Sequence, residues 1–134
     1  MTGANGRASV LVIDDDDDIR ELLSDYLVAH GYTVRVAADA ASGLARIGER
    51  APEIVLIDVD MPGLTGVDAL PQIVALAPHA AVIMVSGAAD TEVATRTRAL
   101  GAMGYVMKPF DFSVLSETVA IALADKRSNV ARGR

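Results

Sequence analysis

The side chains in this chain that could do chemistry fall in four short stretches: Asp14-Asp15, Asp58-Val59-Asp60, Ser86 and Lys108-Pro109. They offer carboxylates, one hydroxyl and one ammonium. Cysteine is absent, which removes thiol nucleophiles, disulfides and thiolate metal sites. His30 and His79 fall at the ends of expected helices and read as surface residues. Carboxylates gathered in one place repel each other unless something positive sits among them. Lys108 is one such group and a divalent cation another. A ligand set made only of oxygens selects a hard cation, and a few carboxylates, a backbone carbonyl and waters suit Mg²⁺. Mg²⁺, a lysine and a hydroxyl together are what a phosphoryl group needs to be held. A carboxylate in line with its phosphorus can take it up as an acyl phosphate. Asp58 directly follows the run that reads as the central strand and is the candidate nucleophile. Ser86 and Lys108 are the candidate phosphoryl-binding groups.

These residues meet only if the backbone carries them to one edge. Ser9–Ile13, Ile54–Ile57 and Ala80–Val85 are continuous apolar runs without polar alternation, as strands buried on both faces require. Each ends in a chemistry-bearing residue. Met103–Met107 ends the same way, in Lys108. Tyr32–Val36 alternates, as an edge strand does. Between them lie helical patterns: Ile19, Leu22, Leu23, Tyr26 and Leu27; Leu44 and Ile47; Val67, Leu70, Ile73 and Val74; and Phe112, Leu115, Val119, Ala122 and Leu123. Asp17, Thr65, Asp90 and Asp111 are the expected caps, and Gly31 and Gly101 the expected stops, while the helix expected over Asp39–Arg50 is weakened by Gly43 and Gly48. Pro71 falls inside a helix, where proline costs about 3 kcal/mol.

Five strand–helix units in strict alternation imply an α/β fold, a doubly wound parallel sheet with helices on both faces and right-handed crossovers. A five-stranded sheet of this kind often takes the flavodoxin-like order 2-1-3-4-5. In that order the ends of strands 1, 3, 4 and 5 share one rim, where open α/β sheets bind ligands.

Ile13-Asp14-Asp15, Asp58-Val59-Asp60-Met61-Pro62-Gly63, Val85-Ser86-Gly87 and Tyr105-Val106-Met107-Lys108-Pro109-Phe110, in that order, resemble the motif set of two-component response-regulator receiver domains. The resemblance spans roughly residues 9 to 125. It implies Asp58 as phosphoacceptor, and Mg²⁺ held by Asp14, Asp15, Asp58 and the Asp60 backbone carbonyl. It also implies Lys108 as the phosphate-binding lysine, Ser86 as the switch hydroxyl and Tyr105 as the switch aromatic. The Lys108–Pro109 bond is expected to be cis. The implied partners are a sensor histidine kinase or phosphotransfer protein as donor, and an output protein or domain reached through helix 4, strand 5 and helix 5. Such a domain phosphorylates and dephosphorylates itself but turns over no substrate.

The competing reading is a haloacid-dehalogenase-type phosphatase, whose Asp-x-Asp matches Asp58-Val59-Asp60. That family places its acidic pair after the lysine and carries cap insertions that this chain lacks. A receiver-like scaffold that never becomes phosphorylated is the third. The net charge of −6 argues against nucleic-acid binding by this domain. No apolar run reaches the roughly 18 residues of a membrane span, and no signal peptide opens the chain, so a cytoplasmic location is expected. Residues 1–8 read as a flexible N-terminus, 9–125 as the receiver domain, and 126–134 as a polar tail or the start of a linker. With nothing long enough for an output domain after Leu123, the chain is expected to be a stand-alone regulator or a receiver cut from a longer protein.

Overall fold

A computed structural model of the protein describes residues 8–88 and 90–131. Strands and helices alternate without exception: β1 (Ser9–Ile13), α1 (Asp17–Ala29), β2 (Thr33–Ala37), α2 (Ala40–Glu49), β3 (Ile54–Asp58), α3 (Gly66–Leu76), β4 (Ala81–Ser86), α4 (Thr91–Ala99), β5 (Gly104–Met107) and α5 (Phe112–Ala131). All four strand pairings are parallel, and the sheet order is β2-β1-β3-β4-β5. This is the expected flavodoxin-like arrangement. The alternating strand β2 lies at the edge, and the apolar runs β1, β3 and β4 fill the centre.

A strand buried on both faces must feed two cores, because its side chains alternate. Leu11, Ile13, Val55, Ile57, Val82 and Met84 pack on the α2–α3 side. Val10, Val12, Ile54, Leu56, Ile83 and Val85 pack on the α1–α5 side, with Leu23, Leu27, Leu115 and Val119. Of the expected apolar positions on α1, Leu22 is the exception: it is exposed, and Leu23 and Leu27 form the buried seam. Pro71 lies on the exposed side of α3, where water can satisfy the carbonyl that its missing N–H leaves free.

Two expectations about helix ends need correction. The cap of α1 is Asp16, not Asp17: its carboxylate accepts from the N–H groups of Asp18 and Ile19 at 2.9 and 3.3 Å. Every residue in the run Asp14–Asp18 could cap, so sequence alone left the position one residue out. The expected tail at 126–134 is helical as far as Ala131. No glycine or proline follows Pro109 until Gly133, so nothing stops the helix at 125. Two contacts hold the extension: Lys126 Nζ donates to the Pro78 carbonyl at 3.2 Å, and Arg127 pairs with Glu53 at 2.9 Å. Of the expected flexible N-terminus, residues 1–7 lie outside the described residues, as do 132–134 at the other end, while Ala8 is fully buried. Among the described residues no helix is long and apolar enough to cross a membrane.

Candidate functional site

Parallel register fixes which strand ends meet. Asp58, the last residue of β3, stands opposite Val85, and Ser86 opposite Met107. Asp14 follows β1 directly. These pairings bring Asp14, Asp15, Asp58, Ser86 and Lys108 to one rim of the sheet. One carboxylate oxygen from each of Asp14, Asp15 and Asp58 lies within 4.8 Å of the others. Asp14 and Asp58 are buried, 1% and 5% exposed, while Asp15 is open to solvent. Lys108 Nζ reaches into the group, 3.1 Å from Asp14 Oδ2 and 3.4 Å from Asp58 Oδ2. The Lys108–Pro109 bond that precedes the turn away from the rim is cis.

The turns that follow each strand fix these side chains locally. The Asp16 N–H donates to Asp14 Oδ1 at 2.9 Å, and the Asp60 N–H to Asp58 Oδ1 at 3.2 Å. Gly66, the first residue of α3, packs on the backbone of Asp58. A Cβ there would overlap the Asp58 carbonyl oxygen, so only glycine allows so close an approach. Its N–H donates to the Val59 carbonyl at 3.1 Å. Sequence reasoning placed Gly66 in a helix and missed this role, because close approach of two backbones leaves no periodic signal.

Charge at the rim is unbalanced. Burial pushes the Asp58 carboxyl above the ordinary carboxylate range and Asp14 pushes it further; the Asp60 N–H and Lys108 offset only part of this. Burial works against the Lys108 ammonium, but Asp14 and Asp58 outweigh it and raise its pKa. Asp14 Oδ2 is buried and accepts no hydrogen bond, its contact with Lys108 being an ion pair without hydrogen-bond geometry. Three clustered carboxylates, two of them buried, against the single ammonium of Lys108 fit a hard divalent cation.

Ser86 is buried, and its hydroxyl is turned into its own loop. It donates to the Ala88 carbonyl and accepts from the Ala88 N–H, both at 3.1 Å. The Tyr105 hydroxyl lies 3.4 Å from the same Ala88 carbonyl oxygen. Ser86 is tied to Lys108 through the backbone, the Lys108 N–H donating to the Ser86 carbonyl at 2.7 Å. Asp60 is exposed beside the site, and both histidines are exposed as expected.

The family model of the response regulator receiver domain matches residues 10–120. The chain belongs to that family. Receiver domains are the signalling switches of two-component systems and not turnover enzymes, which sets aside the phosphatase reading. Among similar proteins, the transcriptional regulatory protein ZraR of Salmonella typhimurium is 34% identical over 94% of this chain. The DNA-binding transcriptional regulator NtrC of a Bradyrhizobium species is 36% identical over 92%. The chain spans less than a third of the length of these curated relatives, 29% and 26%. Among solved structures, the receiver domain of NtrX from Brucella abortus superposes with a TM-score of 0.81 at 37% identity, covering 86% of this chain and 98% of that one. The chemotaxis protein CheY4 of Vibrio cholerae superposes with a TM-score of 0.82 at 28% identity, covering 87% and 99%.

Proposed function

We propose that this receiver domain is switched by phosphorylation of Asp58, with a phosphohistidine on a sensor histidine kinase or phosphotransfer protein as donor. The observation that carries the proposal is the position of Asp58: buried at the end of the central strand, beside Asp14 and Asp15, with Lys108 Nζ at 3.4 Å. An Asp58 carboxylate oxygen forms a bond to phosphorus as the bond from phosphorus to the histidine nitrogen breaks. The imidazole leaves with the electron pair, and the product is a mixed acyl–phosphoryl anhydride. Lys108 would neutralise one oxygen of the transferring group. Asp14, Asp15, Asp58 and the Asp60 backbone carbonyl would hold Mg²⁺, which when bound supplies the positive charge that lets phosphoryl oxygens enter an acidic rim.

Phosphorylation adds close to two negative charges and three strong acceptors to Asp58. The Ser86 hydroxyl is a donor that would turn from Ala88 toward them. Ala88 would then lose two of its bonds, and its carbonyl is also where the Tyr105 hydroxyl rests. The change would pass through Tyr105 to α4, β5 and α5, the surface proposed for an output protein or domain. A cytoplasmic location suits such a partner set.

The test is incubation with acetyl phosphate and Mg²⁺ followed by intact mass. The wild-type protein should gain one phosphoryl group, and Asp58→Asn none. An adduct of unchanged yield on the variant would refute the assignment of Asp58.

A further inference from the structure

We infer that Arg20 is a positioning residue for the acidic rim: its guanidinium holds the backbone from which Asp15 projects and thereby sets the affinity for a divalent cation. This rests on the reading of the rim as a Mg²⁺ site. Arg20 lies in the second turn of α1, six residues after Asp14. One guanidinium nitrogen donates to the Asp14 carbonyl at 2.7 Å, and the other contacts the Asp17 carboxylate.

Two features show which contact matters. The Arg20 side chain is only 17% exposed, whereas that of Asp17 is 88% exposed. An ion pair with so exposed a carboxylate is worth little and does not account for withdrawing an arginine from water. The Asp14 carbonyl does account for it. β1 ends at Ile13, so this carbonyl lies just past the ladder, at a buried residue, and needs a donor. Arg20 supplies it, and the bond to a charged donor is of the stronger kind.

The consequence falls on Asp15. Among the described residues its carboxylate has no hydrogen-bond or ion-pair partner, unlike Asp14, which has the Asp16 N–H and Lys108. Nothing grips the Asp15 side chain directly, so its direction is set by its backbone. The carbonyl that Arg20 holds belongs to the peptide unit joining Asp14 to Asp15. Freeing that unit lets it rotate and swings the Asp15 carboxylate away from Asp14 and Asp58. The net charge of Arg20 acts the other way, since a cation beside a cation site weakens binding. A fork that reaches both Asp14 and Asp17 can be told apart from a point charge by exchanging it for lysine.

The experiment is a Mg²⁺ titration of the unphosphorylated protein followed by amide NMR, well below the unfolding temperature of each variant. Arg20→Lys and Arg20→Ala should each weaken binding roughly 10-fold, the low end of what loss of an outer partner of a metal ligand does. In the metal-free state their Asp15 and Asp16 amide signals should shift or broaden. Asp17→Asn, which leaves the carbonyl contact in place, should bind within about twofold of the wild type, the scale of an exposed ion pair. Unchanged or tighter binding by Arg20→Ala, or full affinity in Arg20→Lys, overturns the inference and leaves the Mg²⁺ site standing if Asp15→Asn is still impaired. A loss in Asp17→Asn as large as in Arg20→Ala assigns the effect to the field of the acidic run and also overturns it. A wild type that shows no Mg²⁺-dependent shifts removes both the site and the inference.

Discussion

At the C-terminal end of the sheet three carboxylates, two of them buried, share one ammonium. At the N-terminal end Arg127 meets Glu53 one to one, with both side chains a third or more exposed, and Lys126 meets a neutral carbonyl. The same sheet therefore ends in an unbalanced, desolvated cluster on one side and in one balanced, hydrated ion pair and an exposed hydrogen bond on the other. The difference separates what a site needs from what a fold needs. Unbalanced buried charge costs stability unless something positive completes it. Balanced surface charge costs little and stabilises little.

The sharpest way to break the comparison is at Gly66. Gly66→Ala puts a methyl against the Asp58 carbonyl, and neither backbone can yield alone. It should cost about 3 kcal/mol, the upper part of the range for overpacking, and slow phosphorylation because the start of α3 must move off Asp58. Gly48→Ala is the contrast. Nothing lies within 4 Å of a Cβ there, and alanine in a helix should stabilise by about 0.5–1 kcal/mol. Urea unfolding of both variants measures the difference, and equal effects would mean that the rim is no tighter than an open helix.

Next in size is Lys108→Met, which leaves the acids without a counter-charge. With Lys108 itself 22% exposed, the loss should be about 2 kcal/mol, below the range for a fully buried pair. Mg²⁺ should restore more of the stability of this variant than it adds to the wild type. Chemical unfolding with and without Mg²⁺ checks this, and a variant indifferent to Mg²⁺ would separate the lysine from the cation site.

The pH dependence sharpens the contrast within one residue type. Asp58 is raised by burial and Asp14, so its folded form binds protons that the unfolded chain has released. Its ionised form costs stability at neutral pH, and the cost is relieved as pH falls through its folded pKa. Asp39 and Asp111 cap helices and are lowered by their bonds to Ser42 and Ser113. Their stabilisation is lost as pH falls through their own folded pKa values, below the ordinary 3.8. Carboxyl NMR titration should find Asp58 above both caps. Lys108, raised by its two acids, should keep its contribution until pH climbs past the ordinary lysine value of 10.5. The smallest effect belongs to the other end of the sheet: Arg127→Ala should cost about 0.5 kcal/mol, as exposed pairs do, and leave acetyl-phosphate labelling unchanged.

Much of this was legible in the residues. Unbroken apolar runs marked the buried strands because a central parallel strand has no wet face, and each run is followed by a residue that stands at the rim. The order of the strands was the one common to flavodoxin-like sheets, since alternation alone does not set it. The expectation that Asp14, Asp15, Asp58 and Lys108 converge is met. Ser86 arrives at the same rim, but its hydroxyl faces Ala88. Periodicity and composition do not register single-atom matters: which of five aspartates caps α1, that Gly66 abuts a carbonyl, that Arg20 satisfies another, or that Leu22 faces water. The extent of α5 was missed because polar residues read as a tail, although lysine and arginine are good helix formers.

That length has a mechanical meaning. α5 begins just after the Lys108 turn, and near the opposite end of the sheet Lys126 and Arg127 add one hydrogen bond and one exposed ion pair. Its 20 residues make a rod about 30 Å long, so a tilt of about 5° where it starts carries its far end through about 2.6 Å. Leu115, Val119, Ala122 and Leu123 clamp the body of the helix on the sheet, so any such tilt works against that core, and only the turns beyond Leu123 depend on the two exposed contacts.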